Sequence, residues 1–268
     1  MAKRKKKQSG AGQIAALVLT LCVAGAGLWQ YCGLPVPAHQ TGEDGILTEL
    51  LELLPAELRG WLGQETVTLS DIPDYDGSPY VELDGGQPAF TAEEKKETDS
   101  YETYASLDRL GRCGTAEACV GQDLMPTEKR GEIGMVKPSG WHTVRYDGVV
   151  DGKYLYNRCH LIGYQLTGEN ANEKNLITGT RYLNVVGMLP FEDEVADYVQ
   201  ETSNHVLYRV TPVFEGTDLV ARGVEMEAWS VEDSGEGVCF HVYCYNVQPG
   251  VEIDYATGES WLAEENAA

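Results

Sequence analysis

The C-terminal third of the chain leaves little choice of fold. His205–Phe214, Leu219–Ser230 and Val238–Val247 are runs rich in Val, Tyr and Trp, separated by Gly-containing turns. They read as consecutive strands, and short connections pair such strands antiparallel. Just before them Met188, Phe191, Val195, Tyr198 and Val199 recur at three-, four- and seven-residue spacing, and Pro190 lies near the start. That pattern predicts a helix over about 189–202. A helix laid by one apolar face on an antiparallel sheet is an α+β domain.

Earlier segments are less regular. Tyr80–Leu83 and Phe90 read as the first strand, Glu93–Arg109 as polar and partly helical, and Cys113–Cys119 as a short loop. Trp141–Tyr146 alternates like a strand. Gly152–Asn157 leads as a second strand into His160, and Thr167–Thr180 reads as a loop rich in Asn and Gly.

The N-terminus has a separate logic. Lys3, Arg4, Lys5, Lys6 and Lys7 precede Ile14–Trp29, an apolar run without a charge. Basic residues followed by an apolar stretch form a signal peptide or an N-terminal anchor. Extended through Gln30–Pro37 the run reaches spanning length, and Val36-Pro37-Ala38 offers small residues for cleavage. By the positive-inside rule, everything after about residue 38 lies outside the cytoplasm. The chain then divides into 1–38, signal or membrane anchor; 39–79, a linker with an amphipathic helical region at Ile46–Leu62; and 80–268, the main domain.

Export sets the redox context. Five cysteines remain beyond the anchor, so disulfides are expected, with Cys113–Cys119 able to close a short loop. Cys239 and Cys244 share a strand-like segment. An odd count leaves one thiol over, for which Cys159 beside His160 is the candidate. The short cysteine pairs lack companion histidines at zinc-finger spacing.

Charge is uneven along the chain. The whole carries 20 Lys+Arg against 42 Asp+Glu, a net −22, and residues 39–268 hold 15 positives and 42 negatives, a net −27. Such a field repels polyanions. Yet ten of those fifteen positives fall between Arg109 and Arg181 beside eight acids, while residues 182–268 have two positives and seventeen negatives. One segment is thus spared the acidity and can present a local phosphate-binding groove.

That segment contains Asn157-Arg158-Cys159-His160 at a strand end, followed by Asn170, Asn172, Asn175, Arg181, Asn184 and Glu192. Amides, an arginine and a carboxylate at a strand–loop–helix corner suit a hydrated hard cation that keeps most of its waters. A neutral imidazole nearby can take a proton from water. Together these are the parts for one-metal phosphodiester hydrolysis. His142, His205 and His241 lie in strand-like segments and read as structural.

The sequence Asn157-Arg158-Cys159-His160 resembles the Asp-Arg-Gly-His motif of the DNA/RNA non-specific endonucleases. The likeness continues through Asn175-Leu-Ile-Thr-Gly-Thr-Arg181 and Asn184-Val-Val-Gly-Met-Leu-Pro-Phe-Glu192, and more loosely from about Tyr80 to Asp254. It is strongest to secreted or membrane-anchored, competence-type nucleases of Gram-positive bacteria. The resemblance implies a ββα-metal (His-Me finger) nuclease: an extracytoplasmic, Mg²⁺-dependent enzyme, with Mn²⁺ as a substitute. It would cleave DNA and RNA with little sequence specificity. His160 becomes the general base, Asn184 the direct metal ligand, Glu192 the holder of the ion's water, and Asn175 a positioning amide. Arg158 and Arg181 become phosphate contacts, with Lys129 and Arg130 as further grip on substrate.

Three positions depart from the family pattern. Asn157 stands for Asp, Cys159 for Gly, and Ala196 where some members carry Arg. These departures, with the net acidity, also admit a surface DNA-binding or uptake module that keeps the fold without efficient cleavage. A third reading is a disulfide-bonded domain unrelated to nucleic acid.

Overall fold

The computed structural model describes residues 67–263. The expected signal or anchor at 1–38 and the helical region at Ile46–Leu62 lie outside the described residues. Among the described residues no helix is long and apolar enough to cross a membrane.

In chain order the strands are β1 Tyr80–Glu82, β2 Tyr101–Tyr104, β3 Ala116–Val120, β4 Tyr156–His160, β5 Leu176–Thr180, β6 Val206–Val213, β7 Gly223–Ser230, β8 Cys239–Tyr245, β9 Val251–Ile253 and β10 Ser260–Leu262. A four-residue helix, α1 (Tyr164–Thr167), sits between β4 and β5. A π-helical turn, Leu183–Met188, runs directly into the long helix α2, Leu189–Thr202. Six strands form an antiparallel sheet in the order β1-β8-β7-β6-β3-β2, β4 and β5 pair as a separate hairpin, and β9 and β10 as another.

The three C-terminal strands and the helix lie where the sequence periodicity places them. Both faces of the sheet are covered, so simple polar–apolar alternation fails in its central strands. On the inner face Val206, Tyr208, Val210, Val224, Met226 and Val242 pack against Leu183, Val195, Val199 and the hairpin's Cys159 and Ile177. Burying each of α2's two valines stabilises the docking by about 1.5–3 kcal/mol. On the outer face, Leu207 and Cys119 meet Phe90. Tyr243 and Tyr245 meet Leu69 and Ile72, so residues before Tyr80 also pack on the sheet.

Several earlier expectations are corrected. Glu93–Arg109 is helical only in a 3₁₀ turn at Glu94–Lys96 and also holds strand Tyr101–Tyr104, and Cys113–Cys119 is largely strand β3 rather than a loop. Phe90 lies in irregular chain, and Trp141–Tyr146 contributes only an isolated bridge, Arg145 to Tyr154. The supposed loop Thr167–Thr180 ends in β5, whose five residues are all buried. The β-branched residues of Leu176-Ile-Thr-Gly-Thr were its signal, masked by the Asn and Gly before it.

The expected disulfides are absent: all five described cysteines are free. Cys113 joins the inner core and Cys119 the outer one. Cys239 and Cys244 lie five residues apart on β8, so their side chains leave opposite faces of the sheet.

Candidate active site

The hairpin and α2 meet around a cleft of about 730 Å³. His160 ends β4 and lines this cleft while remaining only 5% exposed. Its Nε2 lies 2.8 Å from the carbonyl of Asn170, an atom that can only accept. Nε2 therefore carries the proton and donates, and Nδ1 keeps a lone pair. Arg130 Nη2 donates to that lone pair at 3.1 Å. Burial, with a smaller contribution from the Arg130 charge, lowers the imidazole pKa to about 4, so the ring is neutral at physiological pH.

Asn175 is buried and does not line the cleft. Its side chain accepts from Ile162 N at 2.8 Å and donates to Ile162 O at 2.9 Å. By bracing both backbone groups of Ile162 it fixes the turn that follows His160. One residue on, Gly163 lies against Glu192: a Cβ there would stand 2.7 Å from Glu192 Oε2. Glu192 occupies the first turn of α2, and burial raises its carboxyl pKa to about 8. A charge held in such a pocket calls for a nearby cation.

Asn184 belongs to the π-helical turn and lines the cleft with Glu192. Single π-helical turns concentrate at functional sites because the extra residue re-aims side chains. Neither the Asn184 amide nor the Glu192 carboxylate has a side-chain hydrogen bond to any described residue, so both oxygen donors are open. One neutral and one acidic oxygen donor, with room for water and phosphate, fit a hard divalent ion such as Mg²⁺.

The arginines divide by role. Arg158 donates through Nε to Val136 O and through Nη2 to Gly134 O at 2.8 Å, while its guanidinium stacks 4.1 Å from the Trp141 ring centroid. Much of its hydrogen-bonding capacity thus goes into pinning the loop that walls the cleft. Arg181 lines the cleft, its Nη2 is 3.4 Å from Asp151, and its buried Nε has no partner. It is the arginine with a donor to spare. Lys129 is exposed beside Arg130 and does not line the cleft.

Cys159 points into the core behind the site, 3.4 Å from Met188 Sδ. A Cβ on Gly179 would lie 2.6 Å from Cys159 Cβ, so the hairpin accepts a side chain at 159 because 179 has none. Asn157 lines the cleft on β4. Sequence reasoning passed over Gly163 and the aromatic lining of Trp141, Tyr154, Tyr156 and Tyr164. Gly163, three residues after the histidine, carried a readable signal; the aromatic residues did not.

Among the described residues one other His/Asp/Glu cluster exists, Glu225, Glu227 and His241. It lies on the outer sheet face and is ion-paired, with His241 Nε2 2.7 Å from Glu225, His241 Nδ1 3.2 Å from Asp84 and Arg209 2.7 Å from Glu227. His205 similarly pairs with Glu232, and His142 meets Thr257 O, in keeping with structural roles.

An antiparallel sheet, a separate hairpin ending in a buried histidine, and a helix bringing open oxygen donors to it define the class. The chain belongs to the DNA/RNA non-specific endonuclease family, which it matches over residues 92–232. It is 32% identical over 111 residues to a deoxyribonuclease of Streptococcus dysgalactiae subsp. equisimilis, a stretch covering 39% of this chain and 32% of that protein. The chain thus matches about a third of that relative's length. Among solved structures it resembles NucA from Streptococcus agalactiae with magnesium bound, at 28% identity and TM-score 0.59, covering 68% of this chain and 86% of that one. The metal-free form of NucA gives 26% identity and TM-score 0.62, covering 78% and 97%. The fold is also that of the Sda1 nuclease, at 24% identity and TM-score 0.58, covering 69% and 97%.

Proposed function

We propose that this chain is an exported, Mg²⁺-dependent endonuclease of the ββα-metal type that hydrolyses phosphodiester bonds of DNA and RNA with little sequence specificity. The observation that carries the reading is the 2.8 Å contact of His160 Nε2 with the Asn170 carbonyl. The Nε2–H is thereby committed to Asn170 O, which leaves Nδ1 as a base in the same cleft as two open oxygen donors.

Asn184 would hold the ion directly, and Glu192 would accept hydrogen bonds from its water. When bound, the ion supplies Lewis-acid stabilisation of charge on the phosphoryl and leaving oxygens. Arg181 directs its unpartnered Nε to a phosphate oxygen. An incoming phosphate also draws Arg130 off His160, freeing Nδ1 and raising its basicity as the cationic neighbour is neutralised. Nδ1 then takes a proton from the water that attacks phosphorus. Arg158 and Asn175 act at one remove, the first by holding the loop at 134–136 and the second by holding the turn after His160. Contacts confined to phosphate carry no sequence information.

Support for Mg²⁺ comes from the donor set and from the magnesium-bound NucA relative. Support for export comes from the basic and apolar order of residues 1–38. Residues 67–263 incubated with supercoiled plasmid and with RNA, in Mg²⁺ and in EDTA, should degrade both only with metal. His160→Ala should lower the rate by about 10²–10⁴. Intact plasmid in Mg²⁺ and Mn²⁺, with DNA still retained in a shift assay, would instead identify a binding module.

A further inference from the structure

The cleft presents more aromatic surface than phosphate chemistry requires. Trp141, Tyr154, Tyr156 and Tyr164 all line it. Three of the four are committed elsewhere. The Tyr156 hydroxyl donates to Gly258 O at 3.0 Å, the Tyr164 hydroxyl donates to Glu128 O at 2.9 Å, and Trp141 is covered by Arg158. Tyr154 is different: it is 48% exposed, and its ring neighbour is Arg145, whose guanidinium lies 5.4 Å from the ring centroid. An exposed ring in a concave, charged site is a surface waiting for an aromatic partner.

Its position is fixed. Tyr154 bridges to Arg145, and the next residue, Leu155, is fully buried and accepts the backbone N–H of Arg181 at 2.7 Å. The ring is thereby carried on the segment that pairs with Arg181, and both side chains line the cleft. Within the cleft itself the only Lys or Arg side chains are Arg130, Arg158 and Arg181, and Arg158 is engaged with backbone carbonyls, so few cations there serve a duplex. The remainder of the domain is strongly acidic. Grip on a duplex grows with the number of phosphates neutralised, whereas a single strand also gains by stacking its bases on aromatic rings whatever their sequence.

We propose that Tyr154 is a stacking platform for an unpaired base beside the phosphate held by Arg181, and that single-stranded nucleic acid is the preferred substrate class. This rests on the nuclease reading above. A paired base reaches the ring only by leaving its own stack, so the platform discriminates against duplex.

The test is fluorescence anisotropy with the wild-type chain in EDTA. The probes are a labelled single strand, its duplex, and single strands carrying one abasic position at successive sites. Wild type should bind the single strand more tightly than the duplex. Tyr154→Ala should weaken single-strand binding about 5- to 100-fold, and Tyr154→Phe should retain it. One abasic position should weaken wild type and have no effect on Tyr154→Ala, a coupling that a merely structural tyrosine would not show. Equal affinity of wild type for both forms, an unchanged Tyr154→Ala, or loss of that coupling overturns the platform. Cleavage in Mg²⁺ is read separately: its absence with the coupling intact would overturn the nuclease reading alone.

Discussion

The approach of Gly163 to Glu192 gives a sharp test of how the site is held. Gly163 has φ −58° and ψ 143°, a conformation open to alanine, so Gly163→Ala introduces no backbone strain. The new Cβ would lie 2.7 Å from Glu192 Oε2, 2.8 Å from its Cδ and 3.1 Å from Oε1. Ordinary contact begins near 3.4 Å, so the carboxylate must withdraw by about 0.5–0.7 Å. Misplacement of a catalytic group by 1 Å costs on the order of 10²-fold in rate, so Gly163→Ala should lose about 10- to 100-fold in kcat. The Mg²⁺ concentration giving half-maximal rate should rise with it. Stability should fall only slightly, by about 0.5–1 kcal/mol, because Gly163 is the N-cap of α1 and alanine caps less well than glycine. Initial rates across a Mg²⁺ titration, with thermal melts of both proteins, read all three quantities. Wild-type kcat with an unchanged metal dependence would show that Glu192 does not act from this position.

Three further outcomes follow from the same geometry. Arg158→Lys removes the fork to Val136 O and Gly134 O together with the stacking on Trp141. It should cost about 1–3 kcal/mol by urea unfolding and quicken proteolysis at residues 131–138, whereas a direct phosphate contact would raise KM and leave the loop protected. Gly179→Ala should destabilise by about 1–3 kcal/mol through its clash with Cys159, and Cys159→Gly in the same chain should recover most of the loss; additive effects would exclude the contact. His160 has a folded pKa of about 4 against about 6.5 unfolded, so the folded state binds fewer protons between these values and stability rises with pH there. Wild type should therefore lose about 2–4 kcal/mol more than His160→Gln between pH 7 and pH 4, and parallel pH profiles of the two would refute the depressed pKa.

Much of this protein is legible in the amino-acid order. Helix 189–202 follows from apolar spacing and Pro190, and the three C-terminal strands from β-branched and aromatic runs between glycine turns. These signals survive because each is local, a matter of one element's period. The residue set around His160 is legible as well, since Asn184, Arg181 and Glu192 line the cleft with it. β2, β3 and β5 escaped because their strand character is short and interrupted, and their pairing comes from partners far along the chain. The disulfide expectation failed for a related reason. Sequence spacing brings Cys113 near Cys119, but Cys113 precedes β3 and packs in the inner core, while Cys119 on β3 packs in the outer one.

Tertiary structure alone decided what each polar side chain is free to do. Arg158 and Arg181 are equally cationic in the sequence, yet one is engaged by backbone carbonyls and the other retains an unpartnered donor. Asn175 and Asn184 are the same residue type, yet one braces Ile162 from within the core and the other opens to the cleft. The physical reason is hydrogen-bond accounting: sequence fixes which donors and acceptors exist, while the fold decides which of them protein atoms have already satisfied.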